Sequence, residues 1–246
     1  MASETLNSSN IPMHIALIPD GNRRWSRLNK LYILKGYTVG IKKFIDFCNW
    51  TKDAGIKQLS VWVLSSDNIT RRSASELYGF YNLLIRTATN KKILEMLKRN
   101  EARVRIIGNK KLLPLRVVKV LENVERITKI YNAMTINLLV GYGGREDIAY
   151  AISNMSKSSK APKTNVKNNG TNENFDSIKS NLMSKDLPDV DLIIRTSGEQ
   201  RLSGFLPWQS AYSELYFSKK YWPEFNEEDF KTALSDYAKR QRRFGK

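Results

Sequence analysis

One cysteine (Cys48) and one histidine (His14) in 246 residues remove several kinds of chemistry at once. A disulfide within the chain, a multi-cysteine metal site, a His-rich metal centre and catalysis by paired histidines are all excluded. No apolar run approaches the roughly 18 residues of a membrane-spanning helix. The opening MASETLNSSN lacks the basic-then-apolar order of a secretory leader. The expected location is therefore cytoplasmic, with at most a peripheral membrane contact. There is no Walker phosphate loop, no dinucleotide glycine fingerprint and no paired-His zinc pattern. Chemistry must come from carboxylates, cations, hydroxyls or a bound ion.

Acidic residues are the scarce charge, 24 Asp and Glu against 41 Lys and Arg, for a net +17. The cations are spread evenly, seven to nine in each block of about fifty residues, with no basic tail. Such dressing favours any anionic partner: nucleic acid, anionic lipid or phosphorylated metabolite. A nucleic-acid binder would add aromatic–basic interleaving or a recognition motif. Neither is present, so no nucleic-acid partner is expected. Hydrophobic residues make up 41% of the chain, and a chain of this size buries roughly 73% of its surface on folding. A core can form without staples.

Short continuous apolar runs recur along the chain: Met13–Ile18, Leu59–Leu64, Val104–Ile107, Ile136–Val140, Val190–Ile194 and Leu215–Phe217. Their length and Ile, Leu and Val content suit strands buried on both faces. Helical spacing fills the intervals over 36–54, 73–99, 115–131, 145–155 and 226–243. The alternation predicts one α/β domain over 1–246 with a mostly parallel six-stranded sheet flanked by helices. Residues 1–12 read as a flexible N-terminus. Residues 156–176 carry five Asn and only Val166 and Phe175 as large apolar side chains. They bury too little to offset their ordering entropy and read as a mobile surface insertion.

Ligands in parallel sheets bind beyond the carboxyl ends of strands, and unusual residues stand there. The first strand delivers Asp20, Gly21, Asn22, Arg24 and Trp25. Asp20 serves either as a helix cap or as an oxygen ligand to a divalent cation, with Arg24 suited to a phosphate. The fifth strand delivers Arg195, Thr196, Ser197, Glu199, Arg201 and Ser203. Arginine forks and hydroxyls suit phosphate, and a solvated loop paired through Glu199 or Asp191 fits equally. Glu214 opens an apolar strand, where a carboxylate needs a metal or an arginine partner. His14, inside an apolar strand, and Cys48, on an apolar helix face, read as core.

In this order the pieces resemble the cis-prenyltransferase family, typified by undecaprenyl diphosphate synthase. The matching stretches are HIALIPDGNRRW (14–25), SVWVLSSDNITR (60–71), VRIIGN (104–109), INLLVGYGGREDI (136–148), DLIIRTSGEQRLSGFLPWQSAYSELYF (191–217) and RRFGK (242–246). The resemblance implies condensation of isopentenyl diphosphate onto an allylic primer, farnesyl or geranylgeranyl diphosphate, with Mg²⁺ and Z double bonds in the product. It gives Asp20 and Asn68 catalytic roles, with Asp20 and Glu214 associated with the metal. Gly21, Asn22, Arg24 and Trp25 would bind the primer, Arg195, Arg201 and Ser203 the isopentenyl unit, and Ser65 and Arg71 would sit beside the reacting carbons. It also implies a homodimer, an RRFGK tail reaching towards the partner, and a hydrophobic tunnel along helices 36–54 and 73–99 whose far end Ile136 would limit.

Several positions depart from the family pattern. Arg23 stands for a Gly, Ile69 for a Trp, Arg72 for a Pro and Gln200 for a His. Ile33 and Tyr37 stand where an Arg and a His usually support the primer diphosphate, which predicts a thinner phosphate site. The family also contains inactive partner subunits that lack the strand-one Asp. Asp20 and both strand-five arginines are present, which favours an active enzyme over a binding subunit.

Overall fold

The first strand, β1 (His14–Ile18), is buried over all five of its residues and becomes the centre of the molecule. The computed structural model describes residues 11–157 and 170–240. β1 pairs in parallel with β2 (Gln58–Ser65) on one side and β5 (Leu192–Arg195) on the other. Outward from these lie β4 (Met134–Tyr142) and β3 (Ala102–Ile107) on the β2 side, and β6 (Glu214–Phe217) beyond β5. The order is β3-β4-β2-β1-β5-β6, with every pairing parallel. The six-stranded parallel sheet expected from the apolar runs is the sheet observed.

Alternation along β1 divides the core. Ile15 and Leu17 join the larger apolar layer, with Leu59, Val61, Phe47 and Trp222, while Ala16 and Ile18 face the second layer with Ile193, Leu139 and Phe205. The helices are α1 (Asn22–Leu28), α2 (Ile33–Asp53), α3 (Ser66–Arg71), α4 (Ala74–Ala88), α5 (Lys91–Arg99), α6 (Leu115–Thr128), α7 (Gly144–Lys157), α8 (Gly170–Asn181) and α9 (Glu227–Lys239). His14 is a satisfied core residue: Nε2 lies 2.8 Å from Ser60 Oγ and Nδ1 3.1 Å from two backbone carbonyls. Burial outweighs those contacts and holds its pKa below the ordinary histidine value. Cys48 is buried with no disulfide, and burial pushes its thiol pKa up.

Two expectations need correction. The helix over 73–99 is two helices, because Asn90 leaves helical geometry and its side chain caps α5 by accepting from Lys92 N at 2.9 Å. The insertion over 156–176 is helical at both ends: Ser156 and Lys157 close α7, and 170–176 belong to α8. Phe175, its one large apolar residue besides Val166, approaches the Trp208 ring at 6.0 Å. Residues 158–169 lie outside the described residues, as do 1–10 of the expected flexible N-terminus and the RRFGK tail.

Helix α1 crosses α2 at close range because Gly36 has no side chain. A β-carbon there would meet Ser26 Oγ and come within 2.5 Å of the Asn22 carbonyl oxygen. Gly36→Ala should therefore destabilise the protein by about 1–3 kcal/mol through overpacking, despite the roughly 1 kcal/mol that alanine gains over glycine inside a helix. Denaturant unfolding measures this; an unchanged or higher midpoint would contradict the close crossing.

Candidate active site

The strand order reverses direction about β1, the place where open parallel sheets leave a crevice. A cleft of about 610 Å³ opens there, lined by Ile18–Arg24 after β1, Ser65, Asn68, Arg71 and Arg72 after β2, and Arg195, Arg201 and Ser203 after β5. Register shifts in the β2–β4 pairing at Trp62–Ser65 mark a bulge at this rim, a device that re-aims side chains. Ser65 then caps α3, accepting from Asn68 N at 3.0 Å, which turns Asn68 and Arg71 towards the cleft.

At its floor is an ion pair. Parallel register sets Ile18 opposite Arg195, so Asp20, two residues on, meets the Arg195 guanidinium at 2.9 Å. The Arg195 side chain is 6% exposed. It also donates to Ser203 Oγ at 3.0 Å and to the Arg201 carbonyl. Burial by itself would raise the Asp20 pKa. The hydrogen bond and charge of Arg195, the charge of Arg24 and the Gly21 N–H outweigh it, and the carboxyl lies below its ordinary value. Asp20 is thus an anion throughout the neutral range.

Gly21 makes the turn into α1 with φ +100°, where a β-carbon would come within 2.5 Å of Tyr221 Cδ1. It lends α1 no side-chain cap, leaving first-turn N–H groups for water or a ligand. Arg24 donates to Glu199 at 2.7 Å and Ser197 at 2.6 Å, and lies 3.4 Å from Asp20. Asn22 Nδ2 bonds the Pro19 carbonyl at 2.9 Å.

Helix α2 gives the cleft Tyr37 and no cation, and arginines of other segments supply the charge. Seven arginines and two aspartates line the cleft. Arg72 lies over the Tyr37 and Phe80 rings, 5.3 and 5.7 Å from their centroids. Tyr37 donates to Glu76 at 2.6 Å, and Glu76 pairs with Arg72 at 3.5 Å and Arg23 at 3.6 Å. Burial, then the nearby Glu76, raise the Tyr37 pKa, so it remains a donor. Among the described residues, all four buried guanidinium nitrogens without a hydrogen-bond partner belong to cleft arginines: Arg23 Nε, Arg72 Nε and Nη1, and Arg195 Nε. Orphaned donors concentrated in one place mark a site that a ligand completes. Arg23, Arg27, Arg72, Tyr37 and Glu76 had no assigned role in the sequence reading. The signal that was present, Arg72 in place of a proline, gives no direction for its side chain.

Two expected residues stand apart. Glu214 opens β6 beside Leu192, three residues before Arg195, or roughly 10 Å along the strand. It accepts from Arg240 at 2.7 Å, so the arginine-partner reading holds, and within one chain it does not join Asp20 on a metal. Trp25 is half-buried on α1 and is not part of the cleft lining. A second cavity of about 90 Å³, wholly apolar, lies between α2, α4, α5 and the sheet, with Cys48, Leu84, Leu97 and Ile136 in its wall. It shares no lining residue with the cleft and is far smaller than the roughly 300–1,000 Å³ of ordinary ligand pockets, so among the described residues these two spaces do not form one tunnel.

The ionised Asp20 carboxylate in a cationic cleft suits Mg²⁺, which is commonly held by one or two carboxylates together with substrate phosphates and water. No group of three or more His, Cys, Asp or Glu that would cage a metal is found among the described residues.

The prenyltransferase family model described as "Putative undecaprenyl diphosphate synthase" matches residues 18–245. An isoprenyl transferase of Deinococcus radiodurans is 41% identical over 246 residues, covering 100% of this chain and 89% of that protein. A tritrans,polycis-undecaprenyl-diphosphate synthase (geranylgeranyl-diphosphate specific) of Thermoplasma acidophilum is 38% identical over 237 residues, covering 96% of this chain and 89% of that protein. Among solved structures, a lavandulyl diphosphate synthase from Lavandula x intermedia in complex with dimethylallyl diphosphate superposes with a TM-score of 0.88 at 29% identity, over 97% of this chain and 100% of that one. With the family model and these relatives spanning nearly all of its length, and with the β1–β5 cleft built as described, the chain belongs to the undecaprenyl diphosphate synthase family of prenyltransferases.

Proposed function

We propose that the protein condenses isopentenyl diphosphate with an allylic diphosphate primer to make a Z-polyprenyl diphosphate. One observation carries the reading: the pair of half-buried Asp20 with buried Arg195 at the floor of a cleft lined by seven arginines. In the reaction the primer's C1–O bond breaks and its diphosphate leaves with the bonding electrons. The isopentenyl double bond supplies the new C–C bond, and loss of a proton restores an alkene. Charge develops on the leaving oxygens, so donors fixed in advance stabilise the transition state more than the ground state.

Arg24, with the Gly21 and Asn22 backbone, binds the primer diphosphate, and Arg23 and Arg72 supply the cations that Ile33 and Tyr37 do not. Arg195, Arg201 and Ser203 bind the isopentenyl diphosphate. Asn68, Ser65 and Arg71 face the reacting carbons from the α3 side. Asp20 would hold Mg²⁺ together with a diphosphate oxygen, and the ion, when bound, supplies charge neutralisation of the leaving group. The apolar cavity walled by Leu84 and Ile136 receives the hydrocarbon once α2 parts from α4 and α5. Farnesyl or geranylgeranyl diphosphate suits the primer role; the Thermoplasma relative is named for the latter. The reading includes a homodimer, in which Glu214 and the RRFGK tail would act from the partner's side.

Labelled isopentenyl diphosphate, purified protein, Mg²⁺ and each allylic primer test the proposal, with butanol extraction of product. Incorporation should vanish with EDTA and fall roughly a hundred- to a thousand-fold in Asp20→Ala. Folded, dimeric protein that incorporates nothing from any primer would refute the reading. Arg72→Ala should raise the KM for primer about ten- to a hundred-fold, the worth of a charged hydrogen bond, with the KM for isopentenyl diphosphate little changed; equal effects on both would remove Arg72 from the primer side.

The pH profile gives a third test. Arg195 is the foremost of the groups that offset the burial of Asp20, ahead of Arg24 and the Gly21 N–H. In Arg195→Gln burial acts less opposed, so the Asp20 pKa rises and the acid limb of kcat/KM moves to higher pH. The same sign governs stability: a depressed carboxylate pKa stabilises the fold above the unfolded value of about 3.9 and loses that contribution as pH falls through the folded one. An acid limb at the same pH in Arg195→Gln and wild type would contradict this coupling.

A further inference from the structure

We propose that the corner joining α1 to α2 is the surface by which the protein docks on an anionic phospholipid bilayer. Residues 21–45 contain seven Lys and Arg and no Asp or Glu. Arg23, Arg24 and Arg27 of this set line the cleft, while Lys30, Lys35 and Lys42 are exposed. Between the two groups stand apolar side chains that water does not favour: Tyr32 is 92% exposed, Leu28 69% and Leu31 39%. Leu34, 40% exposed, continues the patch onto α4, lying so close to Gly79 that a β-carbon there would come within 2.6 Å of Leu34 Cδ1. Next to Gly79, Tyr78 is 60% exposed, with the Arg116 guanidinium 4.9 Å from its ring centroid. Of the other exposed apolar residues, Met13, Ile130 and Tyr212 are scattered, while Leu112 and Leu115, 38% and 67% exposed, lie in a second acid-free basic stretch, 102–121, which reaches the patch through Arg116.

Aromatic and leucine tips ringed by lysines match the boundary of an anionic membrane. The tips enter the acyl–headgroup region while the lysine stems lie along it and the ammonium groups meet lipid phosphates. A second copy of the chain fits poorly, because a two-fold interface would set these like charges against themselves. Exposure and charge carry the assignment; the proposed reaction adds only that Arg27, at the edge of the cleft, is followed directly by Leu28, so a lipid product would emerge next to the bilayer.

Co-sedimentation of the whole protein with phosphatidylcholine vesicles, with and without phosphatidylglycerol, tests this at low and high salt. Wild type should pellet with the anionic vesicles at low salt and be released by salt. Lys30→Asn with Lys35→Gln should weaken partitioning roughly five-fold per cation removed, asparagine being chosen because Lys30 holds φ +53°. Leu31→Ser with Tyr32→Ser, which leaves the charge unchanged, should weaken it roughly ten-fold or more. Wild type that ignores anionic vesicles, or either pair binding as wild type does, overturns the proposal. So does a change of light-scattering mass in these variants with vesicle binding intact, which would make the corner a self-association face. Vesicle binding needs no turnover, so a protein that binds but incorporates no isopentenyl unit would refute the catalytic reading alone.

Discussion

The Asp20–Arg195 pair is the constraint on which the cleft depends. Parallel pairing of β1 with β5 fixes its geometry before any ligand arrives, because Ile18 and Arg195 are partners in the ladder. A guanidinium this deeply buried is an unfavourable charge without Asp20, and breaking such a pair from one side costs roughly 3–5 kcal/mol. The Asp20 backbone is tied in as well: its carbonyl accepts from Thr196 Oγ1 at 2.7 Å and from Trp222 N at 2.9 Å. Asp20 is therefore the joint between β1, β5 and the turn preceding α9.

A second feature follows from charge density. Seven arginines facing one cleft repel each other unless acids divide them or a polyanion enters. Glu76 and Glu199 divide them, each bridging two arginines from the edge, and the floor pair neutralises one more. The network around Glu76 holds Arg23 and Arg72 at the cleft wall. Ile33 and Tyr37 remove two cationic positions from α2, yet Tyr37 contributes a ring for Arg72 and a hydroxyl for Glu76. The positive charge on this side of the cleft stands on α1 and at the end of α3.

The polar and apolar parts of the molecule are kept in separate spaces. Cleft chemistry occupies the carboxyl ends of the strands, while the small apolar cavity sits between the sheet and α2, α4 and α5. The break at Thr89–Asn90 allows α5 to turn and complete the cavity wall, which a single straight helix over 73–99 would not do.

Short apolar runs and their order determined the sheet, because strands buried on both faces leave an unmistakable pattern with period-free hydrophobicity. Asp20, Arg24, Arg195 and Ser203 were likewise legible, since each follows the carboxyl end of such a run. Only tertiary structure decided what the same residue types do once neighbours from distant segments surround them. Glu214 needed a metal or an arginine by its sequence, and Arg240 is the partner it meets within the chain, because strand register, which sequence spacing does not contain, places it beside Leu192 at the start of β6. Arg72, noted in the sequence only as standing for a Pro, lines the cleft with Glu76 behind it, because Tyr37 and Phe80 come to it from α2 and α4. Spacing along the chain specifies which atoms lie on one face of one element; which two faces meet is decided by packing, and that is where this site is made.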